Sequence, residues 1–110
     1  MKTQAELTEL LDFIGEYATY LLGSGVHTSR VVRNARRIGA SQEVDVRLTT
    51  FQRTSILTVR EEGNPQVVTQ VVEIPHLPIS FERNSDLSSL SWEAVDRRLP
   101  LDAIREKYRK

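Results

Sequence analysis

The sequence predicts an α+β domain: a helical hairpin packed on a three-stranded antiparallel sheet, with short C-terminal helices. Three observations carry this prediction. Apolar residues recur at helical spacing as far as Ile38, the period changes to two between Val44 and Ile74, and helical spacing returns only after Pro75 and Pro78. With 110 residues the chain fits one small domain and can bury one modest core.

From Thr3 to Leu22 the apolar positions Leu7, Leu10, Leu11, Ile14, Ala18, Leu21 and Leu22 form one stripe of a helix, bordered by Tyr17. Gly15 sits inside this stripe, where it weakens the helix by roughly 1 kcal/mol relative to Ala and lets another element come close. Gly23 reads as the residue that stops the helix, and Gly25 as a turn residue. A second helix spans Ser29 to Ile38, with Val31, Val32, Ala35 and Ile38 inward and Arg30, Arg33, Arg36 and Arg37 largely outward. Thr28 is a better N-cap than His27, because its hydroxyl accepts from orphan N–H groups of the first turn; Gly39 reads as the C-terminal stop.

Val44, Val46 and Leu48 then alternate with Asp45, Arg47 and Thr49, a half-buried strand. Thr54 to Arg60 is a second strand, rich in β-branched residues, and Gln66 to Ile74 a third, after the turn Glu62-Gly63-Asn64-Pro65. Such a meander cannot stand alone, so the helices should cover one of its faces. Its edges stay open, which permits a homo-oligomer. Asn84 to Ser91 reads as a serine-rich connector with a helical turn at Leu87–Leu90. Ser91 then caps a short helix, Trp92 to Leu99, which Pro100 interrupts before a last helix, Leu101 to Tyr108. Trp92 is expected to pack that segment onto the core.

The 15 basic and 15 acidic residues cancel, which removes the long-range field of a general nucleic-acid binder. Local charge is uneven. Arg30 to Arg37 holds four arginines and no acid, and Arg97 to Lys110 holds six basic residues against two acidic. The absence of cysteine excludes disulfides, thiolate catalysis and Cys-ligated zinc, and permits a reducing compartment. No apolar run approaches the roughly 20 residues that span a bilayer.

Candidate chemistry gathers at the junction of the first two helices. Ser24, Gly25, His27, Thr28, Ser29 and Arg30 are the candidate ligand-binding residues. Free N–H groups at a helix N-terminus, with a guanidinium beside them, suit the carboxylate of an amino acid or dicarboxylate. The plainer reading, a cap at Thr28, a turn at Gly25 and a structural partner in Arg30, carries more weight. Catalysis is not expected: Ser24, Ser29 and His27 lie close in sequence, but no Gly-x-Ser-x-Gly elbow follows a strand. His27 and His76 show no metal-ligand spacing, and no phosphate loop is present, so neither metal nor cofactor is expected. The arginine face reads first as a solvated surface, and otherwise as one that meets anionic lipid or an acidic partner.

The pieces Leu21-Leu22-Gly23-Ser24-Gly25, Thr28-Ser29-Arg30-Val31, Gly39 followed by the strand Glu43 to Thr49, Ser55 to Val59, and Leu90-Ser91-Trp92-Glu93-Ala94 occur in an order that resembles the soluble N-terminal domain of the threonine/serine exporter family. That family includes split exporters in which two membrane proteins act together. The resemblance implies a cytoplasmic domain at the inner membrane, with a regulatory, gating or assembly role in the export of small polar metabolites. Its partners would be its own membrane helices or a partner membrane subunit. On this reading residues 1–110 are a single cytoplasmic domain of a longer membrane protein, ending just before its first span at the basic stretch Tyr108-Arg109-Lys110. The alternative is a stand-alone domain that binds an anionic metabolite.

Overall fold

A computed structural model describes all 110 residues. Helix α1 (Gln4–Gly23) is followed by α2 (Thr28–Ser41), strands β1 (Asp45–Phe51), β2 (Thr54–Arg60) and β3 (Val67–Glu73), and helices α3 (Phe81–Asp96) and α4 (Leu101–Arg109). The α+β class, the hairpin of helices and the three-stranded antiparallel meander of order β1-β2-β3 are as the sequence predicts.

Helix α1 starts in a capping box: the Thr3 hydroxyl accepts from Glu6 N–H at 3.1 Å, and Glu6 accepts from Thr3 N–H at 2.9 Å. Its buried stripe, Leu7, Leu10, Leu11, Ile14, Tyr17, Ala18 and Leu21, lies on the inner face of the sheet. That face is built from the cross-strand rows Val46–Val59–Val68 and Leu48–Leu57–Gln70. The close approach expected at Gly15 comes from Gln70, whose side chain lies where a Cβ would stand and donates to the Leu11 carbonyl at 3.0 Å. The outer face, with the row Thr49–Ile56–Val71, has no helix over it, and Val71 is 66% exposed.

Two helix ends differ from expectation. Gly23 is the last helical residue and Ser24 follows as C-cap, while Gly25 takes the left-handed conformation at φ 87°. Gly39 does not stop α2, which continues to Ser41. It lies instead where α2 crosses β1, and a Cβ there would fall 2.4 Å from Val46 Cγ2 and 3.1 Å from the Val44 carbonyl. The glycine therefore sets how near helix and sheet can approach.

The largest correction concerns residues 81–96. The serine-rich connector and the first part of the expected short helix Trp92–Leu99 are one helix of 16 residues, which ends at Asp96 and is capped by Ser80, whose hydroxyl accepts from Arg83 N–H at 3.2 Å. Ser91 is no cap; it lies fully buried in the middle of α3. The inward positions Asn84, Leu87, Leu90, Ser91 and Ala94 do follow helical spacing, but two of the five are polar. Trp92 does not pack into the core and is 54% exposed. Helix α4 runs one residue past Tyr108, and Tyr108 stacks edge-on against Phe13 at 5.5 Å between ring centres. Arg83, in the first turn of α3, donates to the Tyr108 carbonyl at 2.8 Å and lies 5.1 Å from the centre of the Tyr20 ring and 5.3 Å from that of Tyr108.

Candidate functional site

The junction between α1 and α2 divides into a buried half and an exposed half. Ser24 is fully buried, with its hydroxyl 2.7 Å from the Tyr20 carbonyl and 3.1 Å from Asn84 Oδ1. Gly25, His27, Thr28, Ser29 and Arg30 are all exposed. The cap of α2 is His27 rather than Thr28. Its Nδ1 accepts from Ser29 N–H at 3.2 Å and lies 2.9 Å from Ser29 Oγ, so the imidazole does the work expected of a hydroxyl. Thr28 is the first helical residue. The histidine and serine thus meet, but in a cap, with no third group hydrogen-bonded to the other ring nitrogen. No acidic residue occupies the first turn of α2.

Arg30 does not turn toward an acid of the sheet. Its Nη2 donates to Ser88 Oγ on α3 at 2.8 Å. This contact opens a polar seam between the two helices. Asn34, fully buried, donates to the same Ser88 oxygen at 2.9 Å, and its own Oδ1 accepts from Arg37 Nη2. Arg37 Nε donates to Ser91 Oγ at 3.1 Å, and Ser91 donates to the Ser88 carbonyl at 2.7 Å. The Tyr17 hydroxyl reaches the edge of the seam from α1 and donates to the Leu87 carbonyl at 2.6 Å. Burial pushes the Tyr17 phenol well above its ordinary value, so it stays neutral as a donor. Every buried side-chain nitrogen and oxygen has a partner. A network of this kind specifies one arrangement of α2 on α3, because each member depends on the others.

Outside the seam, the Arg37 guanidinium lies over the ring of Trp92, 4.0 Å from its centre. Burial, with the nearby Arg33 charge adding to it, holds the Arg37 guanidinium below its ordinary value. Arg37 also lines, with Arg33, Arg36 and Ala40, a groove of about 430 Å³ that runs to the start of β1 at Val44, Asp45 and Val46. The four arginines of α2 form no ion pair. Four of the six basic residues of the C-terminal segment behave otherwise: Lys107 and Arg97 meet Glu93 at 2.9 and 3.2 Å, Arg105 pairs with Glu9, and Lys110 lies 3.8 Å from Glu106.

Asn34 and Ser88 are the residues that reading by motif passes over, while Ser91 and Trp92 are singled out but for other roles, a helix cap and a core anchor. Asn34 carried a usable signal, since it falls on the inward half of an otherwise apolar stripe. The serines gave none, because their partners lie more than 50 residues away.

No helix is long and apolar enough to cross a membrane. No curated protein and no solved structure matches the chain. The family described as "Putative threonine/serine exporter" matches residues 12–110, from the middle of α1 through both sides of the seam to the end of α4. A match over that span takes in the junction, the sheet and the two last helices together, and on it the chain belongs to the threonine/serine exporter family.

Proposed function

We propose that this chain is the cytoplasmic domain of a threonine/serine exporter-like transporter, and that it regulates, gates or assembles the transporter rather than carrying the solute itself. One observation supports this above the others: the exporter family matches nearly the whole chain, yet none of its helices can cross a membrane. The solute path then runs through membrane helices other than these, on the same polypeptide or on a partner subunit. The fold suits a coupling role, because its core is closed and its exposed chemistry lies on the outside of α2 and α3.

The test is efflux from cells that hold the complete transporter and have been loaded with threonine or serine. Leu57→Glu places a charge in the centre of the core, where Leu57 is 1% exposed, and unfolds this domain alone. Export or assembly in the membrane should fall sharply. Full export and normal assembly with the domain unfolded would end the proposal.

A second reading rests on the exposed cluster His27, Thr28, Ser29 and Arg30, at a helix start that has no acidic residue. Here the domain senses an anionic metabolite whose carboxylate meets that helix start and Arg30. Thermal-shift measurement with amino acids and dicarboxylates addresses it. A ligand that stabilises Arg30→Ala as well as the unsubstituted chain removes this site.

A further inference from the structure

We propose that the arginine-tryptophan face of α2 and α3 docks on anionic lipid headgroups, with Arg33, Arg36 and Arg37 on the phosphates and Trp92 at the level of the headgroups. The proposal rests on the transporter reading for the presence of a membrane. It adds which surface of the domain the membrane meets.

Geometry gives the first support. At about 100° per residue, Arg30, Arg33, Arg36 and Arg37 fall within an arc of about 120° on α2. They form one ridge, opposite the buried Val31, Ala35 and Ile38. Charge gives the second. In a chain of zero net charge, Arg97, Arg105, Lys107 and Lys110, four of the six basic residues of the C-terminal segment, pair with Glu93, Glu9 and Glu106. None of the α2 arginines has such a partner, and the one acid lining their groove, Asp45, is 3.6 Å from Arg47. The ridge therefore keeps its positive potential and complements an anionic surface.

Trp92 gives the third. It stands beside the ridge at 54% exposure with Arg37 over its ring. A large amphipathic ring held next to cations is the side-chain pairing that settles at a membrane–water boundary. Arg30 and Arg37 are tied to Ser88 and Ser91, so the ridge and the ring are fixed relative to one another. Arg33 and Arg36, exposed and without ion pairs, remain available to phosphate.

Trp92 is the only tryptophan in the chain, so its fluorescence reports on this face alone. The 110-residue chain is mixed with vesicles of phosphatidylcholine, with and without phosphatidylglycerol, and followed by flotation and by Trp92 emission. Flotation with the anionic vesicles only, a blue shift of Trp92 and reversal by salt are expected. Arg33→Ala/Arg36→Ala removes two cations that carry no fold contact, and should weaken binding roughly 30-fold. Lys107→Ala/Lys110→Ala, in the paired segment, should leave it within about twofold. No flotation with anionic vesicles overturns the proposal. So does flotation without a Trp92 shift, or equal loss from both double substitutions. Capture by a soluble polyglutamate but not by vesicles also overturns it, and makes an acidic protein the occupant. Export is not read in this assay, so its failure and that of the transporter reading are distinguishable.

Discussion

The chain has two basic stretches, and the fold treats them in opposite ways. In the C-terminal segment, Arg97, Arg105, Lys107 and Lys110 each meet a carboxylate at the surface. In α2, Arg30 and Arg37 bind serine and asparagine oxygens and a tryptophan ring, while Arg33 and Arg36 bind nothing charged. A cation that meets a carboxylate is neutralised where it stands. A cation held by neutral oxygens is positioned and keeps its charge. In the first stretch four of the six cations are neutralised, Arg98 and Arg109 being the exceptions, and the second is a charged surface with a fixed shape.

Substitution at Asn34 breaks this contrast most severely. Asn34→Ala removes the one fully buried member of the half-buried seam and leaves Arg37 and Ser88 each short of a partner, and should cost about 1–1.5 kcal/mol. For a domain of this size each kcal/mol lowers the melting temperature by about 4–8 °C, which a thermal melt resolves. A melt unchanged by Asn34→Ala would mean that the seam does not hold α2 on α3.

Arg37→Lys sharpens the comparison, because the charge remains while the planar fork is lost. A single ammonium cannot serve Asn34 Oδ1 and Ser91 Oγ as the guanidinium does, and the loss should be about 1 kcal/mol, with a change in Trp92 emission. Arg33→Ala, in the same helix, should stay within about 0.5 kcal/mol. Equal melts for these two variants would erase the distinction between positioned and free arginines.

The smallest effect belongs to the C-terminal pairs. The hydrogen bond from Lys107 holds the Glu93 carboxyl below the usual carboxylate range, with the Arg97 charge adding to the shift. Its value is lower folded than unfolded, so the pairing contributes above the ordinary carboxylate pKa and is lost as pH falls through the folded value. Acid or high salt should loosen α4, read by amide exchange near Lys107, before it touches the Asn34 seam. Simultaneous loosening of both would show that the two stretches are one cooperative unit.

The same contrast explains what the sequence reveals. Helix α1 and the three strands are readable because they pack by volume against one another, and volume leaves a period in the apolar residues. The face of α2 toward α1 and the sheet, Val31, Ala35 and Ile38, is readable for that reason. Its face toward α3 is not, because Asn34 meets Ser88 and Arg37 meets Ser91 by hydrogen bonds that leave no apolar period. Residues 84–91 accordingly look like a linker, although Leu87 and Leu90 stand three apart within the helix. The junction was recognisable as a helix start, but only the fold assigns the cap to His27, buries Ser24 against Asn84 and sends Arg30 to Ser88. Trp92 reads in the sequence as an anchor of the last segment on the core, whereas the fold leaves it at the surface with the Arg37 guanidinium 4.0 Å from its ring centre.

Arg83 joins three helix ends in a single contact: the start of α3, the last carbonyls of α4 through Tyr108, and the end of α1 through Tyr20. Mechanically this is a rivet. A pull or tilt applied to the carboxyl end of α4 reaches both neighbouring helices through this side chain, alongside the Lys107–Glu93 and Arg105–Glu9 pairs and the Tyr108–Phe13 ring contact. Through Tyr20 it arrives on α1 four residues before Ser24, where the chain turns into α2. From α1 the load passes on to the sheet, which α1 covers and to which Gln70 ties it at the Leu11 carbonyl.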